Sequence, residues 1–169
     1  MVARRVADTD AMRFHLVAVG TKMPTWVDEG YRDYARRLHG GARLELHEIP
    51  LGRRRSESPA DIDRARAEEA RRLRAALPAQ AYVIALEVGG QAVDTAGIAG
   101  HIAEWQRTGR SVAFLVGGPD GLERDLVQAA DATWSLSALT FPHTLVRVML
   151  AEQLYRALSI LHKHPYHRD

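Results

Sequence analysis

Five short apolar runs, each followed by a segment of helical period, constrain the fold of this chain more than any other feature. Phe14–Val19 (FHLVAV) is a near-continuous run of strand length ended by Gly20, and Leu44, Leu46 and, after a shift, Ile49 alternate up to Pro50. Tyr82–Leu86 (YVIAL), Val112–Val116 (VAFLV) and Trp134–Leu139 complete the set. Between them, Thr25 stands at the N-cap position of a helix to about Leu38, with Trp26, Val27, Tyr31 and Tyr34 on one side. From Ala60 to Leu77, residues Ile62, Ala65, Ala70, Leu73 and Leu77 have helical spacing, with Glu68 one turn before Arg72. Thr95 caps a further helix that Gly109 closes, a short helix spans about Glu123 to Ala130, and a long one runs from His143 to Leu161. Strands separated by crossover helices cannot pair as hairpins, so the expectation is an α/β domain with a largely parallel sheet and flanking helices.

A chain of 169 residues is long enough to bury one real core, and no linker divides it into two full-sized domains. Residues 1 to 11 carry no period and read as a loose N-terminal extension, leaving 12–169 as a single domain. The absence of cysteine removes disulfide and thiolate chemistry and suits a reducing, cytoplasmic setting. No run approaches the roughly 18 apolar residues of a membrane span, and the first residues lack the apolar core of a signal peptide. The net charge of +2 hides local clustering at Arg53–Arg55 and in the tail, where His162, Lys163, His164, His167 and Arg168 crowd together; both are places where phosphate can be met. The polar loop from Gly52 to Pro59 reads equally as a solvated, mobile linker or as an RNA-facing loop.

In open parallel sheets, ligands sit at the carboxyl ends of the strands. Three junctions there are unusual: Leu86 to Gly90, Gly117 to Gly121, and Ser137 to Pro142. The first two are glycine-rich and the third is small and polar, which lets main chain approach a nucleotide-like ligand. A dinucleotide fold is excluded by the first junction, Gly20-Thr21-Lys22-Met23-Pro24, which has one glycine where G-x-G-x-x-G is required. Neither a Walker-type loop nor a G-x-S-x-G elbow is present. The tail histidines have no familiar zinc spacing, so no metal is expected.

The last fifth of the chain is its most constrained part. Pro142 gives no N–H to a ladder and forces Phe141 out of the helical region, so strand gives way to helix within about two residues. His143 or Thr144 stands in a position to cap the helix that follows. That helix is apolar on nearly all sides, interrupted by Arg147, Glu152 and Arg156, so one face is left for a partner.

Three segments together carry a resemblance. Val17–Pro24 (VAVGTKMP), Phe114–Leu122 (FLVGGPDGL) and the run from Trp134 to Arg168 are similar to the ribosomal RNA large subunit methyltransferase H family, a SPOUT-class methyltransferase family, in order and over nearly the whole chain. The departures are residues 1 to 11, which have no family counterpart, and an inserted-looking His39-Gly40-Gly41. The resemblance implies a SPOUT-type α/β fold with a C-terminal trefoil knot, a homodimer, and S-adenosyl-L-methionine as methyl donor. It implies methylation at N3 of a pseudouridine in large-subunit (23S) rRNA on the assembled ribosome. Cofactor contacts are implied at Leu86, at Gly117 and Gly118, and at Leu136, Ser137, Ala138, Leu139, Thr140, Phe141 and Pro142. Substrate contact is implied for the tail residues Tyr166, His167 and Arg168.

Methyl transfer needs the nucleophile in line with the methyl group, and the imide nitrogen must lose its proton. His143, His164, His167 and Arg168 are the groups available for that proton, and the sequence does not choose among them. Another SPOUT activity on tRNA or ribose, and a non-catalytic RNA-binding module, are the competing readings.

Overall fold

The computed structural model describes residues 11–38 and 41–168. The elements in chain order are β1 (Met12–Val19), α1 (Thr25–Arg37), β2 (Ala42–Ile49), α2 (Pro59–Ala76), β3 (Tyr82–Ala92), α3 (Thr95–Thr108), β4 (Val112–Val116), α4 (Arg124–Ala129), β5 (Ala132–Ser135) and α5 (His143–Leu161). All five strands are parallel, in the order β2-β1-β4-β3-β5. This is the expected α/β class. The expected loose extension and the His39-Gly40 insertion fall outside the described residues, apart from Ala11 and Gly41.

Alternation along the strands divides the core in two. Phe14, Leu16, Ala18, Phe114 and Trp134 face one side and pack with Ile98, Ile102 and Trp105 of α3 and Leu150 and Leu154 of α5. Val17, Val19, Ile49, Ala85 and Leu115 face the other and pack with Ala70 and Leu73 of α2 and Leu126 of α4. The middle strand β4 is buried along its whole length, whereas the edge strand β2 alternates, which is why VAFLV reads as one apolar run and ARLELHEI does not.

Several local expectations shift, each for an identifiable reason. The last strand is Ala132–Ser135 rather than Trp134–Leu139. Ser135 Oγ donates to the Ser137 carbonyl at 2.8 Å and Leu139 N donates to Ser137 Oγ at 3.0 Å, turning the chain out of the ladder. Asp94 caps α3, its carboxylate accepting from Gly97 N at 2.7 Å, so Thr95 is the first helical residue. Neither Thr25 nor His143 nor Thr144 caps a helix. Pro24 and Pro142 occupy those N-cap positions, and their carbonyls accept from Val27 N and Leu145 N at 3.0 Å. Trp26 is 57% exposed and does not join Val27 and Tyr31 in the core.

Two stretches of charge are also tied down. The Gly52–Pro59 loop, expected to be mobile, is held along its length. Gly52 N donates to Glu69, Arg53 N to Glu68, and Arg54 pairs with Asp120 at 2.9 Å. Arg72 completes the clasp through Glu68 and the carbonyls of Pro50 and Leu51.

Arg147, which interrupts the apolar surface of α5, is 1% exposed. It donates to Glu48 at 2.8 Å, to the Gly20 carbonyl at 2.7 Å and to the Val19 carbonyl at 3.3 Å. The helix follows the edge strand β5 in sequence, yet this side chain reaches β1 and β2 at the opposite edge. The N-terminal turns of α5 therefore lie across the carboxyl ends of the sheet. Arg147→Met removes one member of a buried, charged set and leaves two carbonyls unpaired, so we expect a loss of about 3 kcal/mol in urea unfolding. Glu48→Gln, which keeps the two carbonyl partners, is expected to cost about 1 kcal/mol in the same measurement.

Candidate active site

The carboxyl ends of β3, β4 and β5 open into a cleft of about 300 Å³, at the lower end of the size of small-molecule sites. Three loops and the start of α5 build it.

The first loop is an excursion of β3. Leu86 and Gln91 both pair with Trp134, so Glu87–Gly90 leave the ladder and rise over the strand ends. Gly90 makes this possible, since a Cβ there would stand 2.6 Å from the Trp134 carbonyl carbon. The second loop follows β4. Gly121 N donates to the Gly118 carbonyl at 3.0 Å, closing a four-residue turn with Pro119 at its second position and Gly121 at φ +78. Gly117 packs against this turn so closely that a Cβ would lie 2.6 Å from the Gly121 carbonyl carbon. The third loop is the serine turn after β5, ended by Phe141 and Pro142.

The lining is predominantly apolar, from Leu86, Val88, Val116, Leu136, Leu139, Phe141, Pro142 and Val146, with Glu87, Ser135, Ser137 and His143 as its polar side chains. Of the residues implied by resemblance to contact a cofactor, Leu86, Gly117, Gly118, Leu136, Ser137, Leu139, Phe141 and Pro142 line the cleft. Ala138 and Thr140 do not; both are exposed in the same loop. Sequence reasoning reached Glu87 and Val88 only as part of the Leu86–Gly90 junction and His143 only as a candidate base, and it did not single out Trp134, Ser135 or Val146. Val146 lies one helical turn beyond Pro142, and Glu87 and Val88 fall inside the first glycine-rich junction, so both signals were available. Trp134 and Ser135 carried none, being read as strand.

The electrostatics separate the cleft from its supports. His143 lies in the cleft with its pKa pushed below the usual imidazole range, first by burial and then by the Arg147 charge, both of which favour the neutral ring. Behind the second loop, Glu69 is buried, and burial raises its pKa against the opposing effect of the Gly52 N–H it accepts. A Cβ on Gly118 would meet Val19 at 3.0 Å and Leu51 at 3.3 Å, with Glu69 behind them at 3.6 Å. On the outer side Arg54 holds the Asp120 carboxylate and Arg66 the Asp120 carbonyl. Charge positions the loop from outside, and the cleft itself carries one carboxylate, Glu87, and no arginine or lysine.

The C-terminal tail does not line this cleft. Tyr166 folds back on α5, its hydroxyl donating to Glu152 at 3.1 Å, its ring 4.5 Å from that of Tyr155 and under the Arg156 guanidinium. Burial, a hydrogen bond with Tyr34 and the Glu152 charge raise the Tyr166 pKa. His167 is half-buried and Arg168 exposed beside it. Within one chain, Tyr166, His167 and Arg168 thus stand apart from the loops that build the cleft.

Comparison with known proteins places this geometry in a family. The family model described as "Predicted SPOUT methyltransferase" matches residues 12–167. The ribosomal RNA large subunit methyltransferase H of Alkalilimnicola ehrlichii is 57% identical over 157 residues, 93% of this chain and 99% of that protein. That of Methylococcus capsulatus is 50% identical over 93% of this chain and its own full length. Among solved structures, a probable methyltransferase from Bordetella pertussis Tohama I superposes with a TM-score of 0.55 at 17% identity, covering 89% of this chain and 98% of that one. A putative methylase family protein from Neisseria gonorrhoeae gives 0.54 at 11% identity, over 91% and 86%, and both likenesses concern the fold alone. The chain belongs to the SPOUT methyltransferases and, within them, to the ribosomal RNA large subunit methyltransferase H family.

Proposed function

We propose that this protein transfers a methyl group from S-adenosyl-L-methionine to N3 of a pseudouridine in 23S rRNA, acting in the cytoplasm on the assembled ribosome as a homodimer. The cleft at the carboxyl ends of β3, β4 and β5 is the observation that carries this reading. Its glycine loops and apolar lining suit an adenosine and a sulfonium better than a phosphate, because it contains no arginine or lysine. Leu86, Gly117, Gly118 and the Leu136–Pro142 segment hold the donor in this reading. When bound, the donor supplies a methyl group made electrophilic by its positive sulfur.

The chain's own residues do the rest by position. The substrate base is held by Tyr166, His167 and Arg168, through stacking, hydrogen bonding and charge. Because that tail lies away from the cleft of its own chain, the tail of a second subunit completes it. Two features support a partner there. The large apolar side chains most exposed to solvent are Trp26, Leu51, Val88 and Leu139, and each lies in or just after a junction leaving a strand's carboxyl end. On α5, Leu145 and Met149 are also only half-buried. The strand order is compatible with the trefoil knot implied by the family, and residues 12–169 form one domain in this reading. No helix among the described residues is long and apolar enough to cross a membrane.

Deleting the gene is expected to remove the methyl group from one pseudouridine of large-subunit rRNA, read by mass spectrometry of rRNA fragments, with restoration by the wild-type gene. Retention of that methylpseudouridine in the deletion strain overturns the assignment. Gly117→Ala displaces the second loop and is expected to lower activity on isolated ribosomes by roughly 100-fold. Co-expressing Gly117→Ala with a Tyr166→Ala/Arg168→Ala tail variant is expected to regenerate activity that neither variant has alone, because a mixed dimer contains one intact composite site. No recovery in dimers proven to be mixed argues against a shared site.

A further inference from the structure

On the face of the sheet that α2 covers, the edge strand β2 and its neighbour β1 bring together a set of side chains that methyl transfer does not use. The register pairs His15 of β1 with Glu45 of β2 and Val17 with His47. Side chains two apart share a face, so His15, Glu45 and His47 stand on the side of the sheet that α2 covers. Gly20, where β1 meets the cleft region, lies five residues further on, roughly 16 Å along the strand.

The distances are those of a coordination shell. His15 Nδ1 is 3.1 Å from His47 Nε2 and 3.6 Å from a Glu45 carboxylate oxygen, and one ligand atom from each residue lies within 4.8 Å of the other two. Two ligand atoms each about 2.0–2.2 Å from a shared ion stand roughly 3.0–3.5 Å apart at tetrahedral angles. A hydrogen bond alone accounts for less of this arrangement. One proton serves the two ring nitrogens, and the carboxylate at 3.6 Å is too distant to share it. A cation engages all three lone pairs at once.

We propose that His15, Glu45 and His47 form a binding site for a divalent first-row transition ion, with zinc the closest match to two imidazoles and one carboxylate. His15 is 7% exposed and fixed by the core, whereas Glu45 is exposed, so the ion enters from the Glu45 side and keeps a solvent ligand there. The ion clips β2, an edge strand with one ladder partner, to β1. The sequence expectation of no metal weighed the tail histidines. His15 and His47 are 32 residues apart, and only the parallel register joins them.

The test uses tag-free, full-length protein stripped of metal and titrated with Co2+, read by visible absorption. The expected result is one equivalent bound with the intense bands of a near-tetrahedral ion, bleached by Zn2+, and a Zn2+-dependent rise in the unfolding temperature. His47→Gln is expected to abolish the bands and Glu45→Gln to weaken binding at least about tenfold. Absence of saturable binding overturns the proposal, as does binding that persists unchanged in His47→Gln, which assigns the ion to the tail histidines. Should His47→Gln fail to fold, unchanged affinity in the exposed-site variant Glu45→Gln overturns it equally.

Discussion

The guanidinium of Arg147 is the contact on which the functional end of this protein depends. Carbonyl groups at the end of a parallel strand have no ladder partner once the strand stops, and those of Val19 and Gly20 are buried here. Arg147 satisfies both and adds the Glu48 carboxylate of the neighbouring strand. A charge so deeply buried is tolerated only because three acceptors surround it. The outcome is positional: α5 is pinned across the ends of β1 and β2, and its first turn, with His143 and Val146, becomes one wall of the cleft. Glycine suits this junction, since the φ of Gly20 is +111 and a Cβ would stand 2.8 Å from the end of the Met23 side chain, beside the Arg147 guanidinium.

The opposite wall is supported in a similar way from the other face of the sheet. There α2 presents Glu68, Glu69 and Arg66 to the chain segments beside it. Gly52 approaches α2 so closely that a Cβ would lie 2.2 Å from the Ala65 carbonyl oxygen. Through Arg54 and Asp120 this clasp extends to the turn after β4. Buried carboxylate, ion pair and backbone carbonyl thus set the position of Gly117 and Gly118 without entering the cleft. The cleft can remain predominantly apolar because much of its rigidity comes from charge held outside it.

Two regions of the sheet serve different ends. Loops gather at the carboxyl end, where glycine and proline allow backbone to face a ligand. Along β1 and β2 the side chains of neighbouring strands lie in register and bring His15, Glu45 and His47 together. The tail belongs to neither, resting on Tyr155, Glu152 and Arg156 of the helix that precedes it.

Much of this was legible in the residues alone. The apolar runs marked all five strands, Val112–Val116 and His143–Leu161 to the residue, because buried parallel strands and a helix begun by proline leave strong local signals. The three ligand loops were marked by glycine, serine and proline at strand ends. What local sequence does not encode is partnership across the chain. Nothing near Arg147 announces that Glu48, ninety-nine residues earlier, receives it, so the sequence shows only a charge interrupting an apolar helix. Nothing in YVIALEVGGQA indicates that the strand resumes after Gly90, since the second half exists only by pairing with Trp134 and Ser135. Periodicity and turn chemistry are properties of neighbours in sequence and determined the elements. Burial of charge, strand register and the assembly of the cleft are long-range free energies, and tertiary structure alone decided them.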